Sequence, residues 1–182
     1  MPLTVNTDPF SLTCNAYINV AFMDDYVTVR VYDPAVKVAW DALSDGLQAT
    51  YIVNATRFIN EAVDWIGHKY SRDQLLKWPR YDAYVDGYLL DVTSIPPKLK
   101  EAVAEMLLFT LANDGNISVR EQESLDSIKV GPINVRFNDK TGQPANRYFP
   151  DIVGYLLKDL GTLNNPNLPG ANIIKTVRLI RA

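Results

Sequence analysis

Three features of the chain have residue types suited to chemistry: the single histidine, the single cysteine and one pair of adjacent aspartates. His68 would need a nucleophile or an orienting carboxylate within reach to act as a catalytic base, and the sequence identifies neither. Cys14 lacks the flanking residues of a nucleophile motif, and Asp24-Asp25 lack the spaced partners of a calcium loop. We interpret them as a solvent-facing loop histidine, a buried or loop thiol, and a solvated helix surface.

The other motifs that mark catalytic or cofactor sites are missing from the sequence. There is no phosphate-binding glycine loop, no zinc-ligand spacing and no nucleophile elbow. The sequence therefore predicts a protein that is not an enzyme and that has no cofactor or metal site.

The charge balance bears on the class of partner. The 182 residues include 21 acidic and 18 basic side chains, for a net charge of −3 and an isoelectric point near 5.1. This balance argues against a general polyanion binder, because such proteins carry a basic excess. One cysteine excludes an internal disulfide and suggests a reducing compartment. Because the chain opens without a signal peptide and has no apolar run of membrane-spanning length, we expect a soluble intracellular product with no membrane partner.

The segment Trp78-Pro79-Arg80 allows two interpretations. An aromatic ring beside a basic residue can stack on bases and neutralise phosphates, and Arg147-Tyr148-Phe149 has the same character. The structural interpretation is stronger: Trp78 fills the joint between two helices, Pro79 holds the preceding residue extended, and Arg80 caps a helix C-terminus. We predict that this segment is a structural junction. Other aromatic residues at helical spacing are predicted to be core: Trp40, Tyr51, Phe58 and Trp65.

The fold is predicted to be mainly α, a small helical domain with two long helices. A short helix capped by Asn19 is expected within residues 15–26, followed by a strand or extended loop at residues 27–32 and a helix that begins at Asp33-Pro34. The long helices are predicted at residues 47–66, with Gly67 as the C-terminal cap, and from residues 94–97 to about Asn113. A β-hairpin near residues 125–138 and a short helix at residues 150–160 complete the domain.

The first long helix has an unusually wide apolar face, so it must be covered on more than one side. Other segments of this chain or a neighbouring subunit would supply that cover. The residues of the face are Ile52, Ala55, Ile59, Ala62, Val63 and Ile66, widened by Tyr51, Phe58 and Trp65.

We divide the chain into a helical domain at residues 1–161 and a linker with a C-terminal docking arm at residues 162–182. The arm is β-prone and carries three positive charges with no acid. It can return to its own sheet or add a strand to another subunit. The arm residues predicted to contact a neighbouring subunit or partner are Ile173, Ile174, Lys175, Val177, Arg178, Leu179, Ile180 and Arg181.

A set of residues spread over most of the chain forms one recognisable pattern. It begins at Asn15-Ala16-Tyr17 with Tyr26 and continues through Trp40 and the helix at residues 48–60. It then covers Gly67, the run Gln74-Leu75-Leu76-Lys77-Trp78-Pro79-Arg80, Ile95-Pro96, and residues 128–137. In this pattern the sequence resembles the tailed-bacteriophage head–tail connector, or adaptor, family, part of which also carries the name DnaT-like single-stranded DNA-binding protein. The segment Val27–Val38 before Trp40 departs from the family pattern.

The resemblance implies a structural virion protein that forms a ring, commonly twelvefold, between the portal and the tail. The ring leaves a channel through which DNA passes as cargo, and it carries a tail or nozzle protein below. It implies a location at the head–tail junction of the virion after synthesis in the host bacterial cytoplasm, and an arm at residues 173–182 that docks on the portal or a neighbouring subunit.

Three functions stay open from the sequence. The first is the head–tail adaptor; the others are a single-stranded DNA-binding accessory protein and another neck or tail-completion ring protein. In an adaptor, an acidic lumen would keep passing DNA from adhering. The acidic residues considered for that lumen are Glu101, Glu105, Asp151 and Asp159.

Overall fold

The computed structural model describes residues 3–31, 33–113, 115 and 149–163 in full, together with the backbone of short strands between residues 119 and 147. The predicted docking arm at residues 173–182 lies outside the described residues, as does most of the linker. The domain division is therefore still a prediction, although the last described strand includes Thr162 and Leu163, which we had placed in the linker.

Helices dominate the described residues, as predicted. They are α1 (Val20–Arg30), α2 (Pro34–Asp41), α3 (Asp45–Ala62), α4 (Pro97–Ala112) and α5 (Asp151–Leu157). None of these helices is both long enough and apolar enough to cross a membrane.

The described strands form five antiparallel pairs and no larger sheet. The pairs are β1 (Val63–Trp65) with β10 (Gly161–Leu163), β2 (His68–Lys69) with β3 (Arg80–Tyr81), β4 (Tyr84–Val85) with β5 (Tyr88–Leu89), β6 (Val119–Arg120) with β9 (Asn146–Arg147), and β7 (Ser127–Val130) with β8 (Ile133–Arg136). The pairing of β7 with β8 confirms the predicted hairpin near residues 125–138. Together with the helices, these pairs confirm the mainly α fold class.

The core forms where α3 packs against α4 and where α4 packs against α5. Burial of such apolar side chains is the main stabilising contribution in a domain of this size. The side chains that fill these two interfaces include Ile52, Ile59, Leu99, Val103, Met106, Leu107, Val153 and Leu157, all of them fully buried.

Helix α1 confirms one prediction and corrects another. The side chain of Asn19 accepts a hydrogen bond from the backbone N–H of Phe22, so the predicted cap is present. The strand or extended loop predicted from residue 27 is wrong, because the helix continues to Arg30. Val27 is buried beside Met23 at the i, i+4 spacing of a helix face, and this burial outweighs the strand preference of the β-branched residues. The next helix begins as predicted, with Asp33 as N-cap and Pro34 in the first turn.

The end of the first long helix is also corrected. Helix α3 stops at Ala62, and the next three residues form β1, in which Val63 lies opposite Leu163 of β10. Gly67 does have the left-handed backbone expected of it, with φ of 66°, but it forms the turn between β1 and β2 and does not cap a helix. Helix α4 runs from Pro97 to Ala112, close to the predicted bounds.

Candidate functional site

Arg80 is held inside the fold by backbone carbonyl groups. Its guanidinium donates hydrogen bonds to the carbonyl oxygens of Ile66, Gly67 and Lys77 at 2.5–3.1 Å. The side chain is buried, and that burial lowers the pKa of the guanidinium. We had predicted that Arg80 caps a helix C-terminus. Two of its three acceptors instead belong to the turn after β1, so Arg80 fixes that turn against the segment before β3.

Trp78, close to Arg80 in the chain, is also held inside the fold and is fully buried. Its ring meets the ring of Trp65 edge-on, with the centroids 5.9 Å apart. Its indole N–H has no hydrogen-bond partner among the described residues. The peptide bond between Trp78 and Pro79 is cis. Neither the tryptophan face nor the arginine side chain is therefore available to stack on or pair with a nucleic acid.

A buried polar cluster ties this junction to the N-terminal segment. The Tyr17 hydroxyl donates to Oδ1 of Asn60 at 2.6 Å and accepts from the backbone N–H of Trp78 at 3.3 Å. Asn60 Oδ1 also accepts from the N–H of Lys77 at 2.8 Å, and Thr56 Oγ1 accepts from the N–H of Tyr17 at 3.3 Å. Burial raises the pKa of Tyr17 far above its usual value. This cluster is absent from the predictions, and its only signal in the sequence is a threonine and an asparagine among the apolar residues of α3.

A second hairpin, also absent from the predictions, lies between the junction and α4 in the chain. We call residues 83–90 the tyrosine hairpin. Asp86 and Gly87 form its two-residue turn with φ of 52° and 83°, the positive values that a type I′ turn requires. A hydrogen bond of 2.8 Å from Leu90 N to Ala83 O closes its base. The signal was present, because Asp-Gly between two short β-prone runs indicates a hairpin.

Large side chains on the tyrosine hairpin face solvent. Tyr84 lies opposite Leu89 in the register, and these side chains are 57% and 55% exposed. Tyr88, opposite Val85, is 78% exposed. Because cross-strand partners share a face, the hairpin presents aromatic surface on both faces.

The charges around the tyrosine hairpin are acidic. Asp82, Asp86 and Asp91 are exposed, and none of them takes part in the ion pairs found among the described residues. Asp86 is close enough to contribute to a raised pKa of Lys98, but the Lys98 ammonium is bound to Asp159 at 2.9 Å. An aromatic surface with this charge repels phosphate groups and attracts cationic side chains.

The residues first considered for chemistry lie apart in the structure. His68 is exposed on β2 beside the ring of Tyr81, and Cys14 is buried, which raises the pKa of its thiol. Asp24 accepts a hydrogen bond of 2.7 Å from the indole N–H of Trp40. Within the fully described segments, no group of histidine, cysteine and carboxylate side chains is arranged to hold a metal ion.

The acidic residues considered for a channel lining take part in interactions within the chain. Glu105 accepts a hydrogen bond of 2.6 Å from the Tyr26 hydroxyl, and Glu101 pairs with Arg30 at 3.1 Å. Asp159 pairs with Lys98, as described above. The fourth, Asp151, lies in the first turn of α5.

A surface cavity of about 330 Å³ lies where the N-terminal segment meets the starts of α1 and α4. Its lining is mixed, with Phe22 and Ile95 beside the polar side chains of Thr7, Asn19 and Ser94. Lys100 is the one charged residue among the lining residues that the structure describes. This lining holds neither a nucleophile nor an acid–base pair, and it contains no cluster of cations.

Comparison with known proteins gives one family and no individual relative. No curated protein and no solved structure matches the chain significantly. The family model described as "Putative DnaT-like ssDNA binding protein" matches residues 1–181. That match includes the N-terminal segment, the junction at residues 78–80, the tyrosine hairpin and the C-terminal arm. The chain therefore belongs to the DnaT-like single-stranded DNA-binding family.

Proposed function

We propose that this protein is a structural subunit of a tailed-bacteriophage neck: a head–tail adaptor that forms a ring between portal and tail and leaves a channel for DNA. In this proposal it is not an enzyme, it needs no cofactor, and its place is the head–tail junction of the virion. The observation that carries the proposal is the tyrosine hairpin, where exposed Tyr84, Tyr88 and Leu89 lie among aspartates that form no ion pair with any residue the structure describes.

The composition of this surface suits a contact with protein. Tyrosine is enriched in the cores of protein–protein interfaces, and a two-stranded hairpin is marginally stable without further packing. Burial of the hairpin in an assembly would therefore cover its tyrosine side chains and stabilise its two strands. Leu75 and Tyr81, on the segment before the hairpin, are exposed as well.

The charge pattern supports a conduit through which DNA passes without binding. Acidic side chains outnumber basic ones in the whole chain, and Arg80, which is suited to phosphate, is bonded to backbone carbonyls. Proteins that hold DNA tightly neutralise several phosphates with exposed cations.

The proposed partners are copies of this chain in a ring, expected to be twelvefold, with the portal above and a tail or nozzle protein below. The resemblance of the sequence to the adaptor family supports this arrangement. The residues at 173–182 provide the proposed contact with the portal or a neighbouring subunit, since they carry three cations and five aliphatic residues.

Electron microscopy of the protein with the portal of the same virus tests the adaptor proposal. We expect class averages to show a ring of this protein on one face of the portal, with both rings centred on the same axis. Replacing Arg178 and Arg181 by glutamate should weaken that docking, whereas a matched pair of changes at exposed arginines, Arg57→Glu with Arg72→Glu, should not. A protein that never binds portal, tested as the full chain at micromolar concentration, would exclude the adaptor function.

Single-stranded DNA binding is the second candidate, and the family description speaks for it more directly than for the adaptor. The specific structural observation in its favour is the exposure of Tyr84 and Tyr88, because tyrosine rings can stack on bases without sequence preference. The aspartates beside them oppose it. Another neck or tail-completion ring is a further alternative, and it differs from the adaptor in its neighbours.

A fluorescence titration with oligothymidylate separates DNA binding from assembly. If the protein binds single strands, affinity should fall as salt rises from about 50 mM, and Tyr84→Ala with Tyr88→Ala should weaken it about tenfold or more. Trp78→Ala is unsuitable as a probe because the ring is buried in the core. Absence of binding at about 50 mM salt would rule out this candidate.

A further inference from the structure

We propose that the tyrosine hairpin is the docking site for the C-terminal arm, residues 173–182, of a second copy of this chain, which adds to the hairpin as a third strand. The inference deepens the proposed function in one respect, because it rests on the chain assembling with copies of itself. It names the surface and the segment that make the contact.

The hairpin has unpaired strand edges. Among the described residues, β4 pairs only with β5, so each strand leaves its outer N–H and C=O groups without a strand partner. Exposed edges of this kind are templates for an added strand from another chain. The arm is suited to this role because its β-branched and aliphatic residues favour an extended backbone.

The charges of the two segments are complementary. Asp82, Asp86 and Asp91 border the hairpin, and none of them forms an ion pair within the described residues. The arm carries Lys175, Arg178 and Arg181 and no acid. Such complementarity steers association and fixes the orientation of the contact, and at physiological salt it acts over about 8 Å.

The apolar side chains of the tyrosine hairpin and of the arm are also suited to contact each other. Tyr84 and Leu89 form an exposed cross-strand pair on one face of the hairpin, and Tyr88 is exposed on the other. An added strand places alternate side chains on the two faces, so it covers both. The arm supplies aliphatic residues at odd and even positions, among them Val177 and Ile180.

The linker provides reach to a neighbouring copy. The last described residue before it is Leu163, which lies opposite Val63 in the β1–β10 pair. Residues 164–172 separate Leu163 from the arm, and nine extended residues span about 30 Å. Pro166 and Pro169 favour extended backbone in the residues before them, which suits a linker of this reach.

Substitutions that change the charge of the hairpin or of the arm, made separately in the full-length chain, test the proposal. The hairpin variant carries Asp86→Asn and Tyr88→Lys; asparagine tolerates the left-handed backbone of residue 86, and residue 88 is mostly exposed. The arm variant carries Arg178→Glu and Arg181→Glu. A matched control, Asp25→Asn with Tyr155→Lys, makes the same charge change at exposed positions of α1 and α5.

Sedimentation velocity at several concentrations gives the readout, with circular dichroism to verify folding. We expect each variant alone to self-associate at least tenfold more weakly than the wild type, because the charge attraction between its hairpin and its arm is reduced in the hairpin variant and reversed in the arm variant. An equal mixture should regain a wild-type contact between one copy of each variant, because the unchanged arm of the hairpin variant fits the unchanged hairpin of the arm variant. The control should behave as the wild type.

Three results would overturn the proposal: a wild type that stays monomeric, a variant that assembles as well as the wild type, or a mixture that regains nothing. The last result would place the arm on its own chain or on another protein. If the hairpin double variant does not fold, Tyr88→Lys alone replaces it in the same mixing experiment. Portal binding is measured separately. If the mixture of variants assembles but the protein does not bind portal, docking of the arm on the hairpin is supported and only the adaptor function is excluded.

Discussion

The hydroxyl of Tyr17 lies 2.6 Å from Oδ1 of Asn60, and both side chains are buried between the N-terminal segment and α3. The same hydroxyl accepts a hydrogen bond from the backbone N–H of Trp78, and Asn60 accepts another from Lys77. Two side chains distant in sequence thus hold the backbone of the junction that precedes Arg80. Because the tyrosine hairpin follows that junction by only a few residues, its placement depends on this buried pair.

Tyr17→Phe should lower the free energy of unfolding by about 1–2 kcal/mol. The change removes one buried hydrogen bond and leaves the N–H of Trp78 without its acceptor. Chemical denaturation at neutral pH measures the effect. Tyr155→Phe removes the same atom from a side chain that is 70% exposed, and it should change the free energy by less than about 0.5 kcal/mol.

The raised pKa of Tyr17 leads us to expect a loss of stability at alkaline pH. Burial raises its pKa in the folded protein above the ordinary value of about 10, so the folded state retains a proton that the unfolded state releases. This contribution is fully present below about pH 10 and is lost as the pH rises from there through the folded pKa. Tyr26 has a raised pKa as well, so Tyr17→Phe should reduce the slope without abolishing it. Denaturation between pH 8 and 11 gives the two slopes, and equal slopes would contradict the prediction.

Arg80→Met should destabilise the protein by about 2–4 kcal/mol. The methionine keeps much of the side-chain volume but leaves the carbonyls of Ile66, Gly67 and Lys77 without their charged donor. Arg80→Lys should recover only a small part, because an ammonium cannot reproduce the planar fork of donors. Arg72→Met, at an exposed position, is the control for loss of charge and should be near neutral. Thermal unfolding compares the three variants.

Gly67→Ala should cost about 2 kcal/mol or more. The backbone there is left-handed, and an added Cβ would collide with the backbone of Tyr81 and Ala83. Gly46→Ala, in the first turn of α3, would meet nothing within 4 Å and should be neutral or stabilising by up to about 1 kcal/mol. A similar loss in both variants, measured by urea denaturation, would show that space and backbone angle at residue 67 are not the cause.

Local signals in the sequence predicted the starts of α1, α2 and α4 correctly, whereas α3 begins at Asp45, two residues before its predicted start. Asn19 and Asp33 each supply a side-chain cap, and Pro97 occupies the first turn of α4. These signals act within a few residues along the chain, so a local pattern is sufficient to identify them. The Asp86-Gly87 turn also has a local sequence signal of this kind. It is nevertheless absent from the predictions.

The candidate site could be predicted only in part. The sequence indicated that Trp78 and Arg80 form a structural junction, and the structure places both inside the fold. It did not indicate the polar partners Tyr17 and Asn60. A single chain gives no sign of which buried polar groups meet when the residues are 43 positions apart.

The sequence by itself determined the mainly helical class, the capped helix starts and the absence of the catalytic motifs considered. Only the tertiary structure decided that α3 ends at Ala62, because β10, the strand that pairs with Val63, lies about a hundred residues further along the chain. It also decided that Arg80 binds a strand turn and that the exposed tyrosines lie together among aspartates. Helix starts depend on neighbours in the chain, whereas strand partners and exposed surfaces depend on which distant segments the packed core brings together.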